Sequence, residues 1–139
     1  MGECLEGAKK NRESPMPKKI LVVDDEPNIV KMVESRLKAN GYEVTIACDG
    51  REGLEKARKE KPDLIILDLM LPKMDGNKVC AMFKHDSRYM KIPVIMLTAR
   101  AQESDEELGY ECGADAFFTK PFQHEAVVAK IKELLKDEL

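Results

Sequence analysis

With 139 residues, 43% of them hydrophobic and 35% charged, the chain has the length and balance of one globular domain with its own core. Its formal net charge of −3 argues against nonspecific nucleic-acid binding by this domain. No run approaches the roughly 20 apolar residues of a membrane span, and no secretory h-region follows Met1, so the expected location is the cytoplasm with no membrane partner.

In chain order, residues 1–17 are rich in Gly, Lys, Glu, Asn and Ser, carry Pro15 and Pro17, and read as a disordered leader to a domain spanning 18–139. The apolar run Ile20-Leu21-Val22-Val23 predicts a first strand that ends in Asp24-Asp25-Glu26. Pro27 opens a helix with Ile29, Met32, Val33 and Leu37 at helical spacing, which Gly41 ends. A second strand at 44–47 has Glu43 and Thr45 interspersed and reads as a sheet edge. A second helix, about 51–60, turns Leu54 and Ala57 inward and stops at Pro62. The third strand, Leu64-Ile65-Ile66-Leu67, ends in Asp68, and a helix with Val79, Cys80 and Phe83 follows Asp75-Gly76. The fourth strand, Val94-Ile95-Met96-Leu97, ends in Thr98-Ala99, ahead of an acidic fourth helix at about 103–112. A fifth strand at 116–118 leads to Thr119-Lys120-Pro121. A fifth helix at about 123–137 places Val127, Val128, Ile131, Leu134 and Leu135 on one face.

Strands alternating with helices predict a parallel sheet covered on both faces. The unbroken apolar strands fit positions buried on both sides. The expected fold is α/β, a flavodoxin-like doubly wound (βα)5 with a five-stranded parallel sheet in the order 2-1-3-4-5. Its switch point, where such folds bind ligands, lies between strands 1 and 3. Those strands end in Asp24-Asp25 and Asp68. Three carboxylates gathered there repel one another unless a cation joins them. Hard oxygen donors completed by water suit Mg²⁺ that also receives phosphate. Thr98 and Lys120 reach the same edge, where a hydroxyl and an ammonium can each grip a phosphoryl oxygen. The cysteines Cys4, Cys48, Cys80 and Cys112 show no close C-x-x-C spacing, so Cys48 and Cys80 read as small apolar residues in a reducing compartment. The terminal Lys136-Asp137-Glu138-Leu139 spells a retention address, but without a signal peptide it reads as a frayed helix end.

Taken together, Ile20–Glu26, Asp68-Leu69-Met70-Leu71-Pro72 with Asp75-Gly76, Leu97-Thr98-Ala99-Arg100, Gly113-Ala114-Asp115 and Lys120-Pro121-Phe122 resemble the receiver domain of two-component response regulators. The resemblance covers residues 18 to about 137. It implies that Asp68 accepts a phosphoryl group from a sensor histidine kinase, a phosphotransfer protein or a small phosphodonor. Asp25, Asp68 and the carbonyl of Met70 would ligate Mg²⁺, with Asp24 acting through water. Thr98 would be the switch hydroxyl, Lys120 the phosphate partner and Phe117 the switch aromatic. The domain would assist its own modification rather than turn over an external substrate. It would signal to an output protein or domain through the face of the fourth helix, fifth strand and fifth helix, which also offers a phosphorylation-dependent homodimer. The chain is read either as a stand-alone receiver or as the receiver of a longer protein.

Some residues depart from the family pattern. Phe117 lacks the hydroxyl of the tyrosine often found there, so a signal must travel by packing, and Phe118 reads as core filling. Ala116 stands where dimerising members often have Asp, and Lys130, Asp115 and Glu125 keep only part of that charge pattern. His85 and His124 read as solvated, and Met70 and Arg100 are expected to hinder a hydrolytic water and prolong the phosphoryl lifetime. Two rival readings fit less well. A haloacid-dehalogenase-type phosphatase needs a second Asp where Met70 stands, and a nucleotide-binding module needs a glycine-rich motif the chain lacks. A receiver-like interaction module that signals without phosphate is the remaining alternative.

Overall fold

A computed structural model describes residues 18–68, 76–98, 113–119 and 123–135. The strands are β1 (Lys19–Val23), β2 (Glu43–Ala47), β3 (Leu64–Asp68), β4 (Val94–Thr98) and β5 (Ala116–Thr119). The helices among the described residues are α1 (Pro27–Ala39), α2 (Gly50–Glu60), α3 (Gly76–Lys84) and α4 (His124–Leu135). All strand pairs are parallel, in the order β2-β1-β3-β4-β5, which is the order expected from the sequence. The leader 1–17, the fourth helix expected at about 103–112 and the chain beyond Leu135 lie outside the described residues.

Side-chain alternation along the strands divides the core in two. Leu21, Val23, Ile65, Leu67, Val94 and Met96 pack with Ala57 of α2 and with Val79, Cys80 and Phe83 of α3. Ile20, Val22, Leu64, Ile66, Ile95 and Leu97 pack on the other face with Val33 and Leu37 of α1 and Val127 and Ile131 of α4. Both faces are therefore covered, and β1, β3 and β4 have to be apolar at nearly every position. β2 is an edge strand, and its first four residues are exposed or half-buried.

Local signals set the helix ends. Pro27 begins α1, where its missing N–H costs nothing. Asp49 caps α2 by accepting the N–H of Glu52 (2.8 Å), and Glu52 Oε1 reaches back to the N–H of Cys48 (2.7 Å). Two residues sit differently from their expectation. Met32 is 47% exposed, because it neighbours Val33 on the helix and only Val33 faces the sheet. Cys48 is exposed rather than packed, since it follows an edge strand and its N–H serves the α2 cap.

The start of the sheet is clamped by side chains. Asp63 Oδ2 accepts the N–H of Lys19 (2.8 Å), and Asp115 Oδ2 accepts the N–H of Val94 (2.9 Å). Lys84, at the end of α3, donates to the carbonyl of Ile92 (2.7 Å) and to Asp115 Oδ2 (3.2 Å).

Candidate functional site

The end of β1 and the end of β3 lie side by side, with Val23 opposite Leu67. That adjacency brings Asp24, Asp25 and Asp68 together, each offering a carboxylate oxygen, with those atoms all within 4.8 Å of one another. Asp24 is 1% exposed and Asp68 5%, while Asp25 faces solvent. The N–H of Asp24 bonds to the carbonyl of Ala47 (3.1 Å), so the edge strand β2 fixes where β1 stops. Asp24 Oδ1 accepts the N–H of Glu26 (2.9 Å), a tight turn that sets the direction of its carboxylate before Pro27 starts α1.

The electrostatics point to a cation. Two ionised carboxylates 4.8 Å apart repel by about 3.5 kcal/mol at an effective dielectric near 20. Small, hard oxygen donors with one exposed member and two buried ones fit Mg²⁺, which keeps several waters and takes one or two carboxylates. Among the described residues the donor set contains no nitrogen or sulfur, which does not suit zinc.

Of the other residues expected at the site, Thr98 closes β4 opposite Thr119 of β5, at the same end of the sheet as Asp68. Met70, Arg100 and Lys120 lie outside the described residues. Phe117 is half-buried and packs on the α2–α3 side of the sheet, whereas Phe118 packs on the α1–α4 side. The two aromatics thus serve different faces. His85 is exposed, but His124 is half-buried beside Arg36 and Lys132 in a groove between α1 and α4 and so is not simply solvated. Asp115 and Lys130 do not form a free charge pattern, because Asp115 pairs with Lys84 and Lys130 with Glu133 of its own helix. The turn from Asp24 to Glu26 N–H and the Lys84–Asp115 pair escaped the sequence reading. The turn is hinted at by Asp two residues ahead of the residue before proline, but nothing local links Lys84 to Asp115 across 31 positions.

A doubly wound parallel sheet with three carboxylates converging at its switch point defines a class of domain with an acidic, cation-suited pocket at its strand ends. Comparison with known families narrows this further. The family model of the response regulator receiver domain matches residues 20–132, and the chain belongs to that family, the receivers of two-component signalling. The alkaline phosphatase synthesis transcriptional regulatory protein PhoP of Bacillus subtilis (strain 168) is 50% identical over 121 residues, covering 87% of this chain and 50% of that protein. The chain spans about half the length of the curated relatives it matches. Among solved structures, a CheY-like response regulator receiver domain protein from Methanospirillum hungatei JF-1 superimposes with a TM-score of 0.81 at 33% identity, covering 87% of this chain and 95% of that one. The receiver domain of a Pseudomonas aeruginosa sensor histidine kinase, with a magnesium ion coordinated in its active-site cleft, gives 0.80 at 27% identity, covering 87% and 99%.

Proposed function

We propose that this receiver accepts a phosphoryl group on Asp68 and relays its state to an output partner. The convergence of Asp24, Asp25 and Asp68 within 4.8 Å at the switch point carries this reading. Asp25, Asp68 and the carbonyl of Met70 would hold Mg²⁺, and Asp24 would act through water. When bound, the ion supplies positive charge to the phosphoryl oxygens and relieves the repulsion among the aspartates. A carboxylate oxygen of Asp68 attacks phosphorus in line. The O–P bond forms as the P–N bond to a kinase or phosphotransfer histidine breaks, and the electron pair stays on the imidazole. A small phosphodonor with a good leaving group serves in the same way. Lys120 and Thr98 grip the transferred oxygens by charge-assisted and hydroxyl hydrogen bonds.

The chain's own residues then read the modification. Two charge-assisted hydrogen bonds at roughly 1.5–3 kcal/mol each come close to the ~5.5 kcal/mol that inverts a 1:99 equilibrium. Thr98 moving toward the phosphate would let Phe117 turn inward and reshape the face of the fourth predicted helix, β5 and α4. That face contacts the output partner or a second copy of the chain. The names of the longer relatives favour a transcriptional output. Met70 and Arg100 slow hydrolysis and lengthen the signal.

Intact mass after incubation with acetyl phosphate and Mg²⁺ tests the reading. Wild type should gain one phosphoryl group, and Asp68→Asn or chelator should abolish the gain. An Asp68→Asn protein modified as fully as wild type would sink it.

A further inference from the structure

At the pole opposite the three aspartates, where β3 and β4 begin, a concavity of about 540 Å³ is lined by Arg58, Lys61, Pro62, Arg88, Tyr89 and Ile92. In a chain of net charge −3, the charged residues that line it among the described residues are all cations. Helix α2 accounts for part of this, because Arg58 and Lys59 in its last turn offset the helix dipole. Lys61 lies beyond the helix and has a φ of 51°, a left-handed conformation that glycine or asparagine adopts with less strain. The strained backbone sets a long cation at the rim of the concavity.

Arg88 is held by two neighbours. Its Nε and Nη2 donate to Asp86 Oδ1 (3.1 Å) and Oδ2 (2.8 Å), and its guanidinium sits 5.1 Å from the centre of the Tyr89 ring. Tyr89 in turn meets Phe83 of the core edge to face at 5.8 Å. Little of the Tyr89–Arg88 arrangement has to be immobilised when something binds. Asp86 pairs with Arg88 and also lies within Coulombic reach of Arg58, so one carboxylate faces three cations and the groove keeps a net positive charge.

We propose that this groove docks an acidic peptide segment of a partner protein, one in which carboxylates alternate with apolar side chains. The lining supplies both chemistries, the cations Arg58, Lys61 and Arg88 and the apolar Pro62, Tyr89 and Ile92. A single inorganic anion would satisfy the charge and leave the apolar part wet. An extended peptide points successive side chains in opposite directions, so its acids reach the cations while its apolar residues cover Pro62 and Ile92. The site is independent of the chemistry at Asp68, which lies at the other end of the sheet.

Fluorescence anisotropy with a short labelled peptide of alternating Glu and Leu tests this, with the Gln–Leu peptide, inorganic phosphate and ATP as comparators and amide NMR shifts to map the site. Saturable binding of the Glu–Leu peptide is expected, weakened by salt, with shifts at 58–62 and 86–92. Lys61→Gly relieves the backbone strain, so its thermal midpoint should hold or rise while the dissociation constant rises about threefold or more. Arg58→Gln should weaken binding by a similar factor. Equal binding of the Gln–Leu peptide, shifts that map elsewhere, or wild-type affinity in both variants would overturn the proposal. So would an absence of peptide binding, including the case where phosphate or ATP alone binds.

Discussion

Asp68→Asn removes one of three clustered charges while keeping the shape of the side chain, and its effect on stability isolates the electrostatics of the site. In chelator, the buried Asp24 and Asp68 carboxylates, whose oxygens lie within 4.8 Å, repel by about 3.5 kcal/mol at an effective dielectric near 20. Relaxation and water reaching Asp25 reduce what removal of the charge recovers, and the amide is a poorer acceptor than the carboxylate. A net gain of about 1–2 kcal/mol is expected, which for a domain of this size raises the thermal midpoint by roughly 3–8 °C. Magnesium should then separate the two proteins in the opposite sense. Ion at a hundred times its dissociation constant stabilises wild type by about 2.7 kcal/mol, and the variant, short of one anionic ligand, gains far less. Circular-dichroism melts at neutral pH, with chelator and with Mg²⁺, supply both numbers. If the Asn variant melts at or below wild type in chelator and responds equally to magnesium, the carboxylates are not a strained cation site and the reasoning fails.

Lys84 is 15% exposed and ties α3 to the carbonyl of Ile92 and to Asp115, so Lys84→Met should cost about 1–2 kcal/mol in urea unfolding by taking the ammonium from the Ile92 carbonyl and breaking the ion pair with Asp115, which keeps the Val94 N–H. Gly113 has a φ of 103°, and a Cβ there would come within 2.7 Å of Lys84 Cγ, whose ammonium is anchored and cannot swing aside. Gly113→Ala should therefore cost about 2–3 kcal/mol, against about 1 kcal/mol for Gly41→Ala, where φ is 89° but nothing lies within 4 Å, as denaturant midpoints will show. The hydrogen bond from the Arg88 side chain, and next the Arg88 backbone N–H, hold the Asp86 carboxyl down at about 2 from 3.8. With the folded value below the unfolded one, its contribution to stability is present above pH 3.8 and fades as pH falls toward 2. Carbon-detected NMR titration of Asp86 should find the low value, and Arg88→Ala should return it toward 3.8.

Much of this architecture is legible in the residues, because burial on both faces leaves strands little freedom of composition. Leu64 to Leu67 read as an inner strand, and the order 2-1-3-4-5 is the economical flavodoxin-like topology for strands alternating with helices. Asp24, Asp25 and Asp68 were legible for the same reason, as charges at the ends of apolar runs. What escaped the reading depends on contacts between distant segments or on the finer rotation of a helix. Met32 and Val33 are equally apolar, and only packing against the sheet decides that Val33 faces in. Cys48 looks apolar until the cap of α2 claims its N–H and leaves its side chain outside. The groove of Arg58, Lys61 and Arg88 joins segments about thirty positions apart, each of which reads alone as an ordinary solvated stretch.

The two ends of the sheet use the same residue type in opposite ways. Where strands begin, aspartates act as clamps: Asp63 takes the N–H that starts β1, and Asp115 takes the N–H that starts β4 together with the ammonium of Lys84. A donor compensates each carboxylate, and the result is a fixed register from which the strands run. Where strands end, the register that the clamps impose brings Asp24, Asp25 and Asp68 into one acidic pocket. Loosening a clamp should therefore shift the spacing of the acids as well as lower stability. Chain direction distinguishes the two roles: an aspartate just before an apolar run clamps, and one just after it collects charge. The acidic pocket is in this sense a property of the whole sheet, and no single aspartate defines it.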